Sequence, residues 1–513
     1  MSSEASSAPA AVLPWTVLPL LVAPWLNPFT SGPNAAVMPF LFAWACTAVA
    51  LMGWSLIGQT PQQRMRVVAT AWLLAASANA MLGLLQYFDV SQHWSPWVNQ
   101  PGLGQAFGNL RQRNQFSTLC SMGLAALGWW VIQPAYFARW RRTGMLLAAA
   151  LAVVLVTAVA ASGSRTGMLQ LVLLAVLGVF WLPAASTDAE LRKTGFWLLA
   201  AIPLVYLLAA LALPYGIGMA HGALERWPES AAQCNSRLNL WRNVLYLIAQ
   251  KPLWGWGWGE LGYAHFITLF DAPWAGLRFC ELLDNAHNLP LHLAVELGVP
   301  AAVFLCGVVG VWVWRRHPLR ETRPERQLAW AVLAVVGVHS LLEYPLWYAQ
   351  FQVAALLCVW LVHLWSDPAH APLEAGAPAR SWGLPAMAAG AFIGALCAIA
   401  FWSYWRVSQP YLPPEQRAPL FREQSWAQMR EVLMFGDQVD FAQLAVTPVT
   451  PANAAYLQSL ATDLLHFSPE PMVVQKLLQS AQMQGNDADV AFYAKRFEAA
   501  YPADFSSWAK ARP

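Results

Sequence analysis

The stretch from Thr143 to Pro183 reads TGMLLAAALAVVLVTAVAASGSRTGMLQLVLLAVLGVFWLP. Two apolar runs, 143–161 and 168–183, flank a short polar turn, Ser162-Gly163-Ser164-Arg165-Thr166-Gly167. Each run approaches the roughly 20 residues that an α-helix needs to cross the hydrocarbon core of a bilayer. The segment therefore reads as a hairpin of two membrane helices with an arginine at its tip.

Working outward, further apolar runs lie near 12–26, 35–57, 67–88, 114–133, 195–213, 289–314, 327–344, 346–365 and 383–405. With the hairpin they make about eleven spans, with twelve as the alternative count. Composition agrees: 58% of the residues are hydrophobic and 11% charged, where soluble domains carry about 25% charged residues. The expected fold is an all-α, polytopic transmembrane helix bundle. A net charge of +3 is too small to point to nucleic acid. The N-terminus lacks a basic n-region, and Pro14, Pro19 and Pro24 interrupt its apolar stretch, so it reads as a retained first span rather than a cleaved signal.

The lysines and arginines report orientation. Arg64 and Arg66, then Arg139, Arg141 and Arg142, then Arg192 and Lys193, and finally Arg315, Arg316, Arg320, Arg323 and Arg326 fall in alternating loops. These belong on the cytoplasmic side. The long polar loop 214–288 and the tail then lie outside. Cys234 and Cys280 share that loop, where an oxidising compartment would permit a disulfide; spacing alone leaves the pairing open. The other five cysteines lie in apolar spans and read as small core residues.

Five arginines break the rule. Arg111, Arg113, Arg165, Arg237 and Arg242 fall on the outer side. Guanidinium forks bind phosphate oxygens bidentately, so a shared anionic ligand such as a diphosphate accounts for them together. Headgroup contacts or local carboxylates account for any one of them alone.

After residue 405 the composition changes: 406–513 holds 20 Asp, Glu, Lys and Arg and no apolar span. Helical spacing appears in Tyr456, Leu457, Leu460, Ala461 and Leu464, in Val474, Leu477 and Leu478, and in Val490, Tyr493, Phe497 and Tyr501. Pro469 and Pro502 end similar units 33 residues apart, close to the roughly 34-residue period of tetratricopeptide-like helix pairs. The expected organisation is a transmembrane domain, 1–405, containing the loop 214–288, and a small soluble α-helical domain, 406–513.

Four polar stretches gather on the outer face: Phe107 to Phe116; the Arg165 turn; the long loop with Ser236-Arg237, Lys251-Pro252-Leu253-Trp254-Gly255-Trp256-Gly257 and Asp284-Asn285-Ala286-His287-Asn288; and His339 to Tyr348. Polar groups at membrane depth are costly unless they serve a site. Trp254-Gly255-Trp256-Gly257-Trp258-Gly259 follows no strand and has no acidic partner in context, which excludes a dinucleotide fingerprint. No residue cluster has metal-ligand spacing, so neither metal nor cofactor is expected.

Asn285-Ala286-His287-Asn288 followed by Leu293, Glu296, Leu297 and Gly298 resembles the signature of the O-antigen ligase and Wzy polymerase superfamily. The Ser-Arg turn at Arg165 and the arginine ahead of the Pro-x-x-Gly-x-Gly segment match as well. Gly108-Asn109-Leu110-x-Gln112-x-Asn114 and Leu342-Glu343-Tyr344-Pro345-Leu346-Trp347 resemble, more narrowly, the PglL-type protein O-oligosaccharyltransferases. The resemblance covers about residues 80 to 365 and extends to the tail. It implies an inner-membrane enzyme with its loop, tail and site facing the periplasm. Such an enzyme moves oligosaccharide from undecaprenyl diphosphate to Ser or Thr of periplasmic proteins such as pilins. It further implies His287 as the catalytic base, Arg165 and Arg237 as diphosphate ligands, and Gln112, Asn114, Tyr344 and Arg242 as substrate-binding residues. Partners would be the lipid-linked glycan, the acceptor protein and membrane lipid. The alternatives are ligation to lipid A core, Wzy-type polymerisation, and, from another class, a transporter or flippase.

A lone histidine before a helix is more often structural, and Asn285 or Asn288 could be simple caps. Gln112 and Asn114 could cap the fourth span, and Tyr344 could be an interfacial aromatic. The motif context selects the functional reading for His287, and the resemblance favours it for Gln112 and Tyr344.

Overall fold

The computed structural model describes residues 13–56, 61–133, 141–185, 189–218, 234–364 and 383–510. Among these, regular structure is helical throughout. Among the described residues, seven helices are long and apolar enough to cross a membrane: Val37–Leu56, Gln62–Tyr87, Thr143–Ser162, Arg165–Pro183, Gly195–Gly216, Val299–Arg320 and Gly383–Tyr411. Trp15–Leu26 and Ala349–His363 are shorter apolar helices. The first residues of the chain, up to residue 12, lie outside the described residues.

By internal packing the chain divides into two units. The first comprises Met1–Ser31, Ala35–Glu225 and Val313–Ala398; the second comprises Gly32–Asn34, Arg226–Trp312 and Ile399–Pro513.

The centre of the first unit is the helix Arg113–Val131. It packs against the helices Pro61–Tyr87, Arg141–Ser162, Arg165–Ala185 and Pro324–Ser340. It is not one of the seven most apolar helices, because its buried face carries Gln115, Ser117, Thr118 and Ser121 beside Phe116, Leu119 and Met122. A central helix meets protein on every side and can carry polar groups that protein satisfies, whereas a lipid-facing helix cannot. Gly195–Gly216 is the opposite case, exposed or half-exposed along most of its length. Helices approach closely where side chains are small. A Cβ on Gly123 would collide with Ala76, and one on Gly167 with Ser117.

The segment entering the central helix is bolted down by two buried amides of Pro61–Tyr87. Gln86 accepts from the Gly108 N–H (2.8 Å) and donates to the Gly108 carbonyl (2.8 Å). Asn79 accepts from the Asn109 N–H (3.0 Å), and the Asn109 amide donates to the carbonyls of Leu26 and Trp97.

In the second unit, the run 289–314, expected as one continuous span, is two helices, Leu289–Leu297 and Val299–Arg316. The break is Gly298, at φ +87°. The chain must turn there because Pro252 to Gly257 packs on the end of the first helix. Trp256 N–H donates to Val295 O (2.8 Å), Gly257 N–H to Glu296 O (2.9 Å) and Val299 N–H to Pro252 O (2.8 Å). The first two bonds fill carbonyls at the end of one helix and the third satisfies the first N–H of the next, groups that lack partners within their own helices. The contact leaves no room for side chains. A Cβ on Gly255 (φ +68°) would strike the Glu296 carbonyl, and one on Gly298 the Leu253 carbonyl. The tail also belongs to this unit. Phe266, on the short helix Leu261–Ile267, enters one apolar core with Leu457, Ala461, Leu464, Val474, Leu477, Leu478 and Phe497.

Gly298→Ala combines a strained positive φ with this collision, which together cost about 2 kcal/mol or more. The variant is expected to melt several degrees below wild type in detergent by differential scanning fluorimetry. An unchanged midpoint would refute the interlock.

Candidate functional site

Gln112, Asn114, Arg165 and Tyr344 lie in the first unit; Arg237, Arg242 and His287 lie in the second. Each group has its own geometry.

In the first unit, Arg165 is the exposed first residue of Arg165–Ala185. The hairpin turn ahead of it uses Gly163 at φ +63°. Ser164 caps the helix, its Oγ accepting from the Gly167 N–H (2.9 Å). The same hydroxyl donates to Asn114 Oδ1 (2.6 Å), and Asn114 Nδ2 donates to Glu343 Oε1 (3.1 Å). The structure thus joins three of the singled-out stretches by side-chain hydrogen bonds. Below them Ser117 and Ser162 pair (2.9 Å), and Thr118 meets both His339 Nδ1 (2.9 Å) and Gln170 Nε2 (2.7 Å). Gln112 caps the central helix, accepting from the Gln115 N–H (2.7 Å). Tyr344 stacks on Tyr348, with centroids 6.0 Å apart.

In the second unit, Arg237 is likewise the first residue of its helix, Arg237–Gln250, and Ser236 caps it by accepting from the Asn239 N–H (3.3 Å). Both expected diphosphate ligands therefore stand on the first turn of a serine-capped helix. The first turn of a helix carries backbone N–H groups with no intrahelical acceptor and the positive end of the helix dipole, so it favours an anion and disfavours an isolated cation.

His287 adopts φ +49°, in the left-handed region. This is uncommon for a residue with a side chain and is held here by its neighbours. Asn285 Oδ1 accepts from the His287 N–H (2.9 Å), and Asn288 caps Leu289–Leu297 by accepting from the Leu291 N–H (3.0 Å). Trp241, one turn along the Arg237 helix, donates its indole N–H to the Ala286 carbonyl (3.1 Å). The arginine helix and the histidine segment are thus tied together one residue from His287. A disulfide between Cys234 and Cys280, with Cα atoms 5.5 Å apart, fastens the chain just ahead of Ser236. Buried Asn243 donates to the carbonyls of Ala275 and Leu277 and accepts from the Phe279 N–H. Arg242 is exposed beside Gly276.

His265 and Arg278 brace the same unit. Arg278 donates to the carbonyls of Thr268 and His265 (2.6 and 2.7 Å). Burial, with the Arg278 cation nearby, holds the His265 imidazole well below its usual 6.5, so it is neutral when folded.

Residues 150–306 match the family model described as O-Antigen ligase, and residues 327–513 the one described as Virulence factor membrane-bound polymerase, C-terminal. Residues 106–131 match the model described as Protein glycosylation ligase. A General O-oligosaccharyltransferase of Acinetobacter baylyi is 30% identical over 124 residues, 24% of this chain and 21% of that one. The ComP-specific O-oligosaccharyltransferase of the same organism is 23% identical over 293 residues, 57% of this chain and 50% of that one. The chain is homologous to O-oligosaccharyltransferases. These homologues are glycosyltransferases, and the chain matches half or less of their length. No solved structure matches the chain. The O-Antigen ligase match contains Arg165, Arg237, Arg242 and His287, and the Protein glycosylation ligase match contains Gln112 and Asn114.

Ser164, Trp241 and Asn243 escaped sequence reasoning. The signal for Ser164 was present, since a serine directly precedes both arginines. Trp241 and Asn243 act on backbone groups and leave no pattern.

Two outcomes follow. Cys234→Ser or Cys280→Ser should lower the melting temperature, and wild-type protein should shift on a non-reducing gel when treated with thiol. Equal mobility with and without thiol would contradict the disulfide. For His265, the unfolded chain takes up a proton below pH 6.5 that the folded chain refuses. Its contribution is therefore intact above that pH and falls on acidification, by up to about 1.4 kcal/mol per pH unit. Thermal melts of wild type and His265→Asn between pH 8 and 5 should show the variant losing less stability; identical slopes would contradict this.

Proposed function

We propose that this chain transfers an oligosaccharide from undecaprenyl diphosphate to Ser or Thr hydroxyls of periplasmic proteins such as a pilin, at the outer face of the bacterial inner membrane. The observation that carries the proposal is the link from the Arg237 helix through Trp241 to the strained His287 segment. A base and an anion-binding arginine are held on one scaffold.

The chemistry is a direct displacement. The acceptor oxygen attacks the anomeric carbon while His287 takes the hydroxyl proton. The bond from that carbon to the diphosphate oxygen breaks, and its electron pair leaves with undecaprenyl diphosphate. Arg237, on a helix N-terminus, stabilises the charge that develops on the leaving group, and the motif resemblance assigns Arg165 the same role. Fixed positive charge fills the role a metal ion would otherwise take, so the step needs no metal. Attack opposite the leaving group inverts the anomeric configuration. Gln112, Tyr344 and Arg242 are assigned to substrate contact on the strength of the motif resemblance. The Cys234–Cys280 disulfide supports an oxidising, periplasmic location for the loop. The printed names of both relatives support a protein acceptor.

A second reading keeps the chemistry and changes the acceptor. The O-Antigen ligase match favours transfer to lipid A core or polymerisation of the glycan. A flippase would instead place its polar groups near the bilayer midplane.

His287→Ala is expected to reduce transfer at least about a hundredfold at normal expression. Arg165→Ala and Arg237→Ala should each lower it by about 100- to 1,000-fold, with lysine only a partial substitute. The assay is glycosylation of a co-expressed pilin in cells that make a lipid-linked glycan. Normal glycopilin with His287→Ala would overturn the catalytic assignment. Unmodified pilin alongside restored O-antigen lipopolysaccharide would favour the second reading.

A further inference from the structure

The resemblance assigns Asn114 to the substrate, yet both ends of its carboxamide are engaged by the protein. Its Oδ1 accepts from Ser164, and its Nδ2 donates to Glu343. Ser164 in turn caps the helix that begins with Arg165. Glu343 is 7% exposed, and its own N–H is fixed to the His339 carbonyl (2.8 Å).

We infer that Glu343, Asn114 and Ser164 form a hydrogen-bonded strap that positions the Arg165 turn for the diphosphate, with Asn114 acting through Ser164 rather than on substrate. This rests on the assignment of Arg165 given above. The strap has a physical task. Arg113 and Arg165 are each exposed at the first residue of a helix, and Asn114 and Ser164 are their chain neighbours. The 2.6 Å bond between those neighbours therefore holds together two helix starts that each carry a cation. Like charges and like dipole ends oppose that arrangement.

The direction of each bond makes the strap testable by exchange. Asn114→Asp removes the donor and sets two carboxylates face to face. Glu343→Gln leaves an oxygen that still accepts from Asn114. Combining the two restores both bonds of the strap, because the amide introduced by Glu343→Gln can donate to the new carboxylate, which still accepts from Ser164. Hydrogen bonds to charged groups are worth about 1.5–3 kcal/mol, so Asn114→Asp should lower transfer to co-expressed pilin by about ten- to a hundredfold. Glu343→Gln should cost no more than about threefold, and the double variant should return to that level. A second readout, independent of turnover, is the rise in melting temperature of the purified protein with undecaprenyl diphosphate. Asn114→Asp should diminish that rise and the double variant recover it.

If the double variant stays as impaired as Asn114→Asp in both readouts while Arg165→Ala is also impaired, the strap is overturned and the Arg165 assignment stands. Normal transfer by Arg165→Ala would remove the assignment itself, and the strap with it. Ser164→Ala, which keeps Asn114 and Glu343 intact, should reproduce the Asn114→Asp defect; normal activity there would also overturn the strap.

Discussion

The serine cap that fixes an arginine on the first turn of a helix is the interaction on which the rest depends. It occurs twice, at Ser164-Arg165 and Ser236-Arg237. A cation at the positive end of a helix is unfavourable by about 0.3–1 kcal/mol when no anion is present. Under the proposed function, guanidinium and backbone N–H groups at each helix start would face the diphosphate together. Around each cap the protein has built supports: Asn114 and Glu343 in one unit, Trp241 and the disulfide in the other.

The membrane setting explains why the supports are polar and buried. Among apolar helices, hydrophobic contact does little to specify how one helix meets another, since lipid competes equally well. Hydrogen bonds between side chains do specify it. Thr118, Gln170 and His339 perform that task within the first unit, as Gln86 and Asn79 do for the segment that enters the central helix.

Much of this was legible in the sequence, for identifiable reasons. Apolar length marked the helices because bilayer thickness imposes it. The motif residues marked the polar segments because such groups are rare at membrane depth. The run 289–314 misled because its hydropathy is continuous, while the break at Gly298 comes from a distant segment, Pro252 to Gly257, lying on the helix end. The glycines of that segment permit contact between backbones. The central helix hid its role for the reverse reason, since its polar face faces protein. The Asn114 bridge was unreadable because it depends on partners 50 and 229 residues away.

The central claim is that glycan passes from a lipid diphosphate to protein hydroxyls. Its most direct test is mass spectrometry of periplasmic proteins from cells that make one lipid-linked glycan, with and without this chain. The account predicts that serine- or threonine-linked glycan appears only when the chain is present. Unmodified proteins in both cultures, with the glycan appearing instead on lipid A core, would contradict it.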